Sequence, residues 1–367
     1  MKFLFLTPRL HNNYYEFIKT LLAHDERVQV GVLYALPTER YELVQPMVLG
    51  YSRVFRWMKS WFQPRSTSLL KDRFELRYGF PPLIALWKLL RTSQADVVVI
   101  KNIDSAFSLF ALCFSRLLGK KIIVDLQIDK YRPQRKSGSV AMVKTLFGAK
   151  VVTPLLGDPR YPNDNDNLYY IPFTHEPDAQ PVKRDGREGT IRILCVAKFQ
   201  KRKNQLLLLR ALQSISPDIE YELHLVGQQG DPTYLEEVKR FIQKNTLEKR
   251  VSCLLDLPWE AMREEYHWAD LYILPSAKEP AAISILEAMS FGLPVICSDQ
   301  NGTKCYVEEG KNGSVFRSGD LQSLSMILNV LLRDRNQLRV MGERSTELVK
   351  ERHSPEKAYQ AFLKLVS

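Results

Sequence analysis

No stretch of the 367-residue chain approaches the roughly 20 consecutive apolar residues that a membrane-spanning helix needs. The opening MKFLFLTPRL has too short an apolar run for a secretory signal, because Pro8 and Arg9 end it; it reads as a first buried strand. Cysteine is scarce. The five residues (113, 195, 253, 297 and 305) are odd in number and form no Cys-x-x-Cys pair. Four of them lie in or beside apolar runs, so the expectation is small buried hydrophobes in a reducing compartment rather than disulfides or a metal site. The six histidines (11, 24, 175, 224, 267 and 353) show no metal-ligand spacing. Asp164 and Asp166 in NDNDN give an Asp-x-Asp pair, but the surrounding PRYPNDNDN has turn chemistry, and a turn is the plainer reading. No short-period repeat and no low-complexity tract is present.

What the chain does have is enough hydrophobic residue, 45%, for two cores, which its length also favours. The formal net charge of +11 is uneven. Residues 1–180 carry 25 Lys and Arg against 16 Asp and Glu, whereas 181–367 carry 27 against 25. The basic excess belongs to the first half and suggests an anionic partner there: lipid headgroups, a phosphorylated substrate or nucleic acid. Nucleic acid is the weakest of these, since no reader motif accompanies the charge.

Continuous apolar runs alternate with amphipathic ones. KFLFLT (2–7), VQVGVLY (28–34), ADVVVI (95–100), KKIIVDL (120–126), AKVVTP (149–154) and LYYIPF (168–173) read as strands, with helices at 13–23 and 104–119 between them. Residues 174–190, rich in Pro, Gly and charge, read as a linker. The alternation restarts with IRILCVA (191–197) and runs through YELHLVG (221–227), RVSCLL (250–255), DLYILP (270–275) and PVICS (294–298), with helices between. Helices at about 320–333, 335–351 and 354–366 close the chain. Strands buried on both faces and separated by helices predict two parallel, Rossmann-like α/β sheets.

The segment KEPAAISILEAMSFGLPVIC (278–297) places Glu279 and Glu287 eight residues apart in an otherwise core-like run. DLYILPS ends as a strand at Ser276, so Glu279 is expected at the carboxyl edge of the sheet, where α/β proteins bind ligands. Pro280 suits the first turn of a helix that Gly292 ends. The amides of Ala281, Ala282 and Ile283 would then face outward as an anion site. Glu287 could take the hydroxyls of a ribose, and Glu279 those of a sugar. The plainer alternative leaves Glu279 solvated or capping and pairs Glu287 with a lysine.

EPAAISILEAMSFGLPVICSDQNG followed by VEEGKNGSVF resembles the signature region of glycosyltransferase family 4. VAKFQKRKNQLLLLRAL (196–212), YELHLVGQQG (221–230) and the run from Arg250 to Glu279 extend the resemblance over the second half. It implies the GT-B fold: two Rossmann-like domains facing across a cleft, with C-terminal helices packing back toward the N-terminal domain. The domains expected are 1–173 for the acceptor (with a basic insertion at about 51–80), a linker at 174–190, 191–345 for the nucleotide-sugar donor, and crossing helices at 346–367.

The resemblance also implies roles. Glu287 would hold the donor ribose and Glu279 the transferred sugar, although Pro-Ala-Ala replaces the family's usual Gly-Phe-Gly after the first glutamate. Lys198 and Lys203 fall on the diphosphate-binding positions. The first is Lys rather than Arg and loses the bidentate fork, which Arg202 could compensate; a solvated basic turn is the alternative for KFQKRK. Gly227 would let the nucleotide approach closely, and the loop at Asp256 and Leu257 would face its base. In the first half the loop TPRLHNNY lacks the family's two glycines; Arg9 there could reach a phosphate or belong to a surface loop. The family histidine position aligns with Gln127, which can donate a hydrogen bond but cannot act as a base.

The activity implied is retaining transfer, hexosyltransferase in type, from a UDP- or GDP-sugar to a glycan or lipid-linked acceptor in bacterial surface polysaccharide synthesis (lipopolysaccharide, O-antigen or capsule). No cofactor or metal is expected. The alternatives are a GT-B epimerase or phosphorylase, or a non-catalytic partner subunit. Finally, RVFRWMKSWF (53–62) sets Val54, Trp57, Met58 and Trp61 on one helical arc and Arg53, Arg56 and Lys59 on the other. That pattern fits peripheral binding to an anionic membrane from the cytoplasmic side, or a helix packed on its own domain with a basic outer face.

Overall fold

The computed structural model describes residues 1–10, 12–35, 42–62, 74–131, 137–157, 168–179 and 189–367. Asp164, Asp166 and His11 lie outside the described residues, as does part of the expected linker. The chain divides into two compact units: Met1–Pro172 together with Pro355–Ser367, and Phe173–Ser354. The residues expected as the start of a linker, 174–179, belong to the second unit, and the division near the C-terminus falls at Pro355 rather than at 346. The physical reason is a long helix, Arg335–Arg352 (α12), which stays packed in the second unit to its end.

The first unit holds a parallel sheet of seven strands: β1 (Lys2–Thr7), β2 (Arg27–Val32), β3 (Met47–Val48), β4 (Val97–Lys101), β5 (Lys121–Asp125), β6 (Lys150–Thr153) and β7 (Leu168–Tyr170), in the order β3-β2-β1-β4-β5-β6-β7. All five residues of β4 are buried, as a strand covered on both faces requires. One face carries α4 (Leu83–Thr92), α5 (Ala106–Leu117) and α6 (Ser137–Phe147) over Leu4, Leu6, Val98 and Ile100. The other carries α1 (Tyr15–Ala23) and the last helix, α13 (Pro355–Val366), over Phe3, Phe5, Val97 and Val99. Period-2 alternation along β1 and β4 thus feeds two separate cores. Helix α2 (Arg53–Phe62) and a helical turn at 74–78 (α3) flank the first of them.

The second unit holds a parallel sheet of six strands: β8 (Ile191–Val196), β9 (Tyr221–Gly227), β10 (Val251–Leu255), β11 (Leu271–Leu274), β12 (Val295–Ser298) and β13 (Gly313–Phe316), in the order β10-β9-β8-β11-β12-β13. Its helices include α7 (Gln205–Gln213), α8 (Pro232–Lys244), α9 (Trp259–Trp268), α10 (Ile283–Ser290) and α11 (Leu321–Leu331). Asp231 caps α8 by accepting from the amides of Thr233 and Tyr234, with Pro232 in the first turn. Strands β3 and β13 and helices α4 and α6 were not singled out in the sequence.

The cysteines are less uniform than expected. Cys195 and Cys297 are buried, Cys253 and Cys305 are partly so, and Cys113 is exposed. Cys113 sits on the outer face of α5, whose inner face is defined by Phe107, Ala111 and Leu112.

Candidate active site

In both sheets the strand order reverses between the first strand and one that follows later in the chain. In the second unit this happens between β8 and β11, which pair directly. The crevice beyond the carboxyl ends of such a strand pair is where open α/β sheets bind ligands. The segments leaving β8 and β11 at that edge carry Lys198, Arg202 and Lys203 on one side and Glu279 to Ile283 on the other.

These segments join through charge. Glu279 is only 8% exposed. Its carboxylate accepts from Arg202 Nη1 at 2.6 Å and from Lys203 Nζ on the same oxygen. Its backbone is clamped as well: the Glu279 amide donates to Gln300 O at 3.1 Å, and Gly302 N donates to Glu279 O at 2.9 Å. Neither a solvated nor a helix-capping Glu279 is found. Lys203 is buried in a 3-10 turn, Lys201–Lys203. Burial lowers the pKa of its ammonium, Glu279 pulls it back up, and Arg202 pushes it down again. Arg202 is the open member of the trio, and its backbone oxygen accepts from Ala277 N at 2.7 Å, tying the two loops together. Lys198 is half-buried in the loop after β8.

The helix after Glu279 starts later than the sequence suggested. Ala282 is the N-cap residue and α10 begins at Ile283, so Pro280 and Ala281 precede the helix instead of forming its first turn. The extended N-cap conformation, φ −88° and ψ 110°, places the unpaired first-turn amides at Ile283 and Ser284 rather than at 281–283. Ala282 is held by its own carbonyl, which accepts from Thr303 Oγ1 at 3.1 Å. The C-terminal end is as expected. Gly292 has φ +68°, and its amide donates to Met289 O at 3.0 Å, while Leu293 N reaches Ala288 O at 3.0 Å. This is a Schellman closure, which needs a left-handed residue at that position.

Glu287 is held by a tyrosine. Its Oε2 accepts from the phenol of Tyr266 at 2.7 Å. Tyr266 is fully buried and stacks on Phe291 with ring centroids 5.0 Å apart. Burial, reinforced by the Glu287 carboxylate, raises the phenol's pKa well above its ordinary value, so it remains a donor and fixes the Glu287 rotamer. A second buried phenol, Tyr272, donates to Ser284 Oγ at 2.7 Å. Neither tyrosine was singled out in the sequence. Their only signal was an aromatic at a core position with a polar tip, which requires a partner.

Gly227, at the carboxyl end of β9, is closely approached by its own chain. A Cβ there would lie 2.0 Å from the Ala197 carbonyl oxygen, so its missing side chain admits the chain's own β8 loop. Leu257 follows β10 at the same sheet edge, half-buried, after Asp256 at φ +52°. Three buried polar atoms, Gln205 Oε1, Ser276 Oγ and Asn301 Nδ2, have no partner among the described residues. All three flank the Lys203–Glu279 pair in sequence or across the Glu279–Asn301 bridge. Gln127 belongs to the first unit, two residues beyond β5. Among the described residues no group of three His, Cys, Asp or Glu forms a potential metal site.

A carboxylate buried under two cations beside a helix N-terminus, at the switch point of a parallel sheet, suits an anionic ligand bearing hydroxyls. Residues 178–348 match the family described as glycosyl transferases group 1. The second unit carries a group 1 glycosyl transferase domain. That glycosyl transferase domain contains Lys198, Arg202, Lys203, Gly227, Leu257, Glu279 and Glu287.

A GDP-mannose-dependent α-(1-6)-phosphatidylinositol monomannoside mannosyltransferase of Mycolicibacterium smegmatis is 27% identical over 180 residues, covering 46% of this chain and 46% of that protein. The chain therefore spans less than half of that relative. A UDP-Gal:α-D-GlcNAc-diphosphoundecaprenol α-1,3-galactosyltransferase of Escherichia coli is 26% identical over 303 residues, covering 75% of this chain and 74% of that protein. Among solved structures, the Anabaena protein Alr3699/HepE in complex with UDP-glucose superposes with a TM-score of 0.72 at 18% identity, covering 100% of this chain and 99% of that one. The architecture of the glycosyl transferase domain and its partner sheet is thus the two-unit α/β GT-B fold.

Proposed function

We propose that the protein is a retaining hexosyltransferase of family 4 that moves a sugar from a UDP- or GDP-sugar to a glycan or lipid-linked acceptor in bacterial surface polysaccharide synthesis. The observation that carries this reading is the buried Glu279 carboxylate held by Lys203 and Arg202 at the switch point of the second sheet. The activities of the mannosyltransferase and galactosyltransferase relatives, both acting on lipid-linked acceptors from nucleotide sugars, point the same way.

In this reaction the bond between the anomeric carbon and the donor diphosphate breaks, and a bond to the acceptor hydroxyl oxygen forms. The acceptor proton passes to the departing diphosphate, so no protein base is needed at Gln127. Negative charge grows on the leaving diphosphate, where Lys203, Arg202, Lys198 and the first-turn amides of α10 stabilise it. Glu279 holds Lys203 and Arg202 in place before the donor arrives and takes sugar hydroxyls once the diphosphate shares those cations. Glu287, fixed by Tyr266, accepts from the ribose hydroxyls. We assign no metal to the step, because the cations of the β8 loop supply the positive charge.

We also place the protein on the cytoplasmic side of an anionic membrane, through α2. Among the described residues no helix is long and apolar enough to cross a membrane. Phe55, fully buried, anchors α2 to its own unit, while Trp57 and Trp61 are 62% and 75% exposed. Arg53 and Arg56 are exposed beside them, and Lys59 pairs with Glu75. Two exposed indoles flanked by cations suit the interfacial region of a bilayer.

The deciding experiment is a thermal-shift series with UDP, GDP and ADP and their sugars on the wild type and on Glu287→Ala. A rise in melting temperature with one series, lost in Glu287→Ala, is expected. No shift with any nucleotide refutes the donor site. Retention is read separately, from the anomeric configuration of the first-formed product by NMR.

A further inference from the structure

The first unit has its own switch point. Its strand order reverses between β1 and β4, which pair from Phe3–Val97 to Leu6–Ile100. Beyond the carboxyl ends of these two strands lies a cavity of about 530 Å³ lined by Thr7 at the end of β1, Pro8 and Arg9 after it, Leu76 and Arg77 of α3, and Lys101, Asn102, Asp104 and Ser105 at and after β4. Three cations, Arg9, Arg77 and Lys101, and one carboxylate, Asp104, are among its lining. Each cation comes from a different segment, so the charge is assembled by the fold and not by a basic run.

The cations are positioned. Lys101 is buried, and its ammonium lies 4.7 Å from the centre of the Tyr14 ring. Tyr14 is fixed in turn, its hydroxyl donating to Asp125 Oδ2 at 2.5 Å. Asn102 takes a left-handed turn, φ +58°, that bends the chain away from the sheet directly after Lys101. Arg77 is exposed on the rim and Arg9 is half-buried in the β1 loop. Two guanidinium groups and an ammonium suit the several oxygens of a phosphate or diphosphate better than the single charge of a carboxylate.

We propose that this cavity binds the phosphate or diphosphate of the acceptor, with Arg9, Arg77 and Lys101 as its ligands. The proposal rests on the glycosyltransferase reading and deepens it: the acceptor is a phosphorylated one, such as a lipid-linked saccharide, and not a neutral glycan. The cavity's volume admits a diphosphate and an adjoining sugar, and Asp104 is available to a sugar hydroxyl.

The test is equilibrium binding of a water-soluble short-chain prenyl diphosphate to the full-length protein, with and without saturating UDP or GDP. The variants are Arg77→Glu, Arg9→Gln and, as a control in the other unit, Lys203→Met. Arg77→Glu, on the exposed rim, is expected to fold normally and to weaken binding at least tenfold. Arg9→Gln is expected to weaken it about as much, while Lys203→Met leaves it unchanged and nucleotide does not compete. The nucleotide thermal shift persists in Arg77→Glu. Equal binding by wild type and both arginine variants overturns the proposal, as does loss of binding in Lys203→Met or displacement by nucleotide, which puts the probe in the donor site. In all these cases the nucleotide shift reports independently on the glycosyltransferase reading. Inorganic pyrophosphate separates the sources: if it binds as tightly as the prenyl compound, the cavity reads the free anion rather than a lipid-linked one, and the acceptor assignment falls.

Discussion

At the scale of single residues, the Lys203–Glu279 pair sets stability against function. Removing one partner of a buried pair strands the other, whereas replacing both by apolar groups of similar size can be almost neutral. Arg202 remains beside Glu279, so Lys203→Met is expected to cost only about 1–3 kcal/mol in urea denaturation. The double variant Lys203→Met/Glu279→Leu is expected to regain most of that stability and still give no nucleotide-induced shift. A double variant as unstable as the single one contradicts this account.

His353 makes a second residue-scale prediction. Its ring is buried, and burial lowers its pKa from 6.5 to about 4, while its Nδ1 lies 2.9 Å from the Phe173 carbonyl oxygen. The unfolded chain binds a proton below about pH 6.5, which the folded ring refuses until about pH 4. This contribution to stability is therefore complete above pH 6.5 and is lost as pH falls toward 4, by up to ~3 kcal/mol. Denaturation of wild type and His353→Gln at pH 7.5 and pH 4.5 checks it: the wild type should lose more stability than the variant over that interval.

At the scale of elements, close backbone approach fixes the helix that carries Glu287. Gly342, in the middle of α12, allows that helix to meet the Gly292 carbonyl; a Cβ on Gly342 would lie 2.2 Å from the Gly292 oxygen. Helix propensity alone favours Gly342→Ala by about 1 kcal/mol. The clash is with backbone that cannot turn aside, and overpacking of this kind costs about 1–3 kcal/mol. Gly342→Ala is therefore expected to be destabilising, read as a lower urea midpoint, and a raised midpoint would show that the helices separate freely. Helix α2 gives the opposite case. Trp57→Glu with Trp61→Glu touches only exposed rings, so stability should change little while co-sedimentation with anionic vesicles is lost. Unchanged vesicle binding by the folded variant rules out α2 as the anchor.

At the scale of the whole molecule, the last helix completes the first unit after the chain has built the second. Phe362 of α13 packs against Phe17 with centroids 5.0 Å apart and against Phe3 at 6.0 Å. Tyr359 stacks on His24 at 4.1 Å and donates to Glu26 at 3.0 Å. The two chain crossings between units are pinned to each other in the second unit, where His175 N donates to His353 O at 3.1 Å. Phe362→Ala is expected to cost about 3–5 kcal/mol. The loss should fall on the first unit, so a calorimetric transition moves down while UDP or GDP still raises the other. Loss of both together would mean that the units unfold as one.

Much was legible in the sequence because its causes are local. Strands buried on both faces are continuous apolar runs whatever surrounds them, so β1, β4, β8, β9 and β11 could be located within about two residues. The acidic pair at 279 and 287 and the KRK turn stood out because charge in a core-like run demands a partner. Short elements such as β3 and β13 left no periodic trace, and α4 and α6 did not stand out from the basic and polar stretches around them. Four features depended on residues distant in sequence: the partners of Glu279 and Glu287, the start of α10 at Ile283, the role of Gly227, and the grouping of Arg9, Arg77 and Lys101. By itself the sequence determined the two α/β units and the chemistry available at their strand ends, because hydrophobic period and residue type act over a few residues. Only the tertiary structure decided which of those charges meet, because strand order brings together loops that the chain keeps about 80 residues apart.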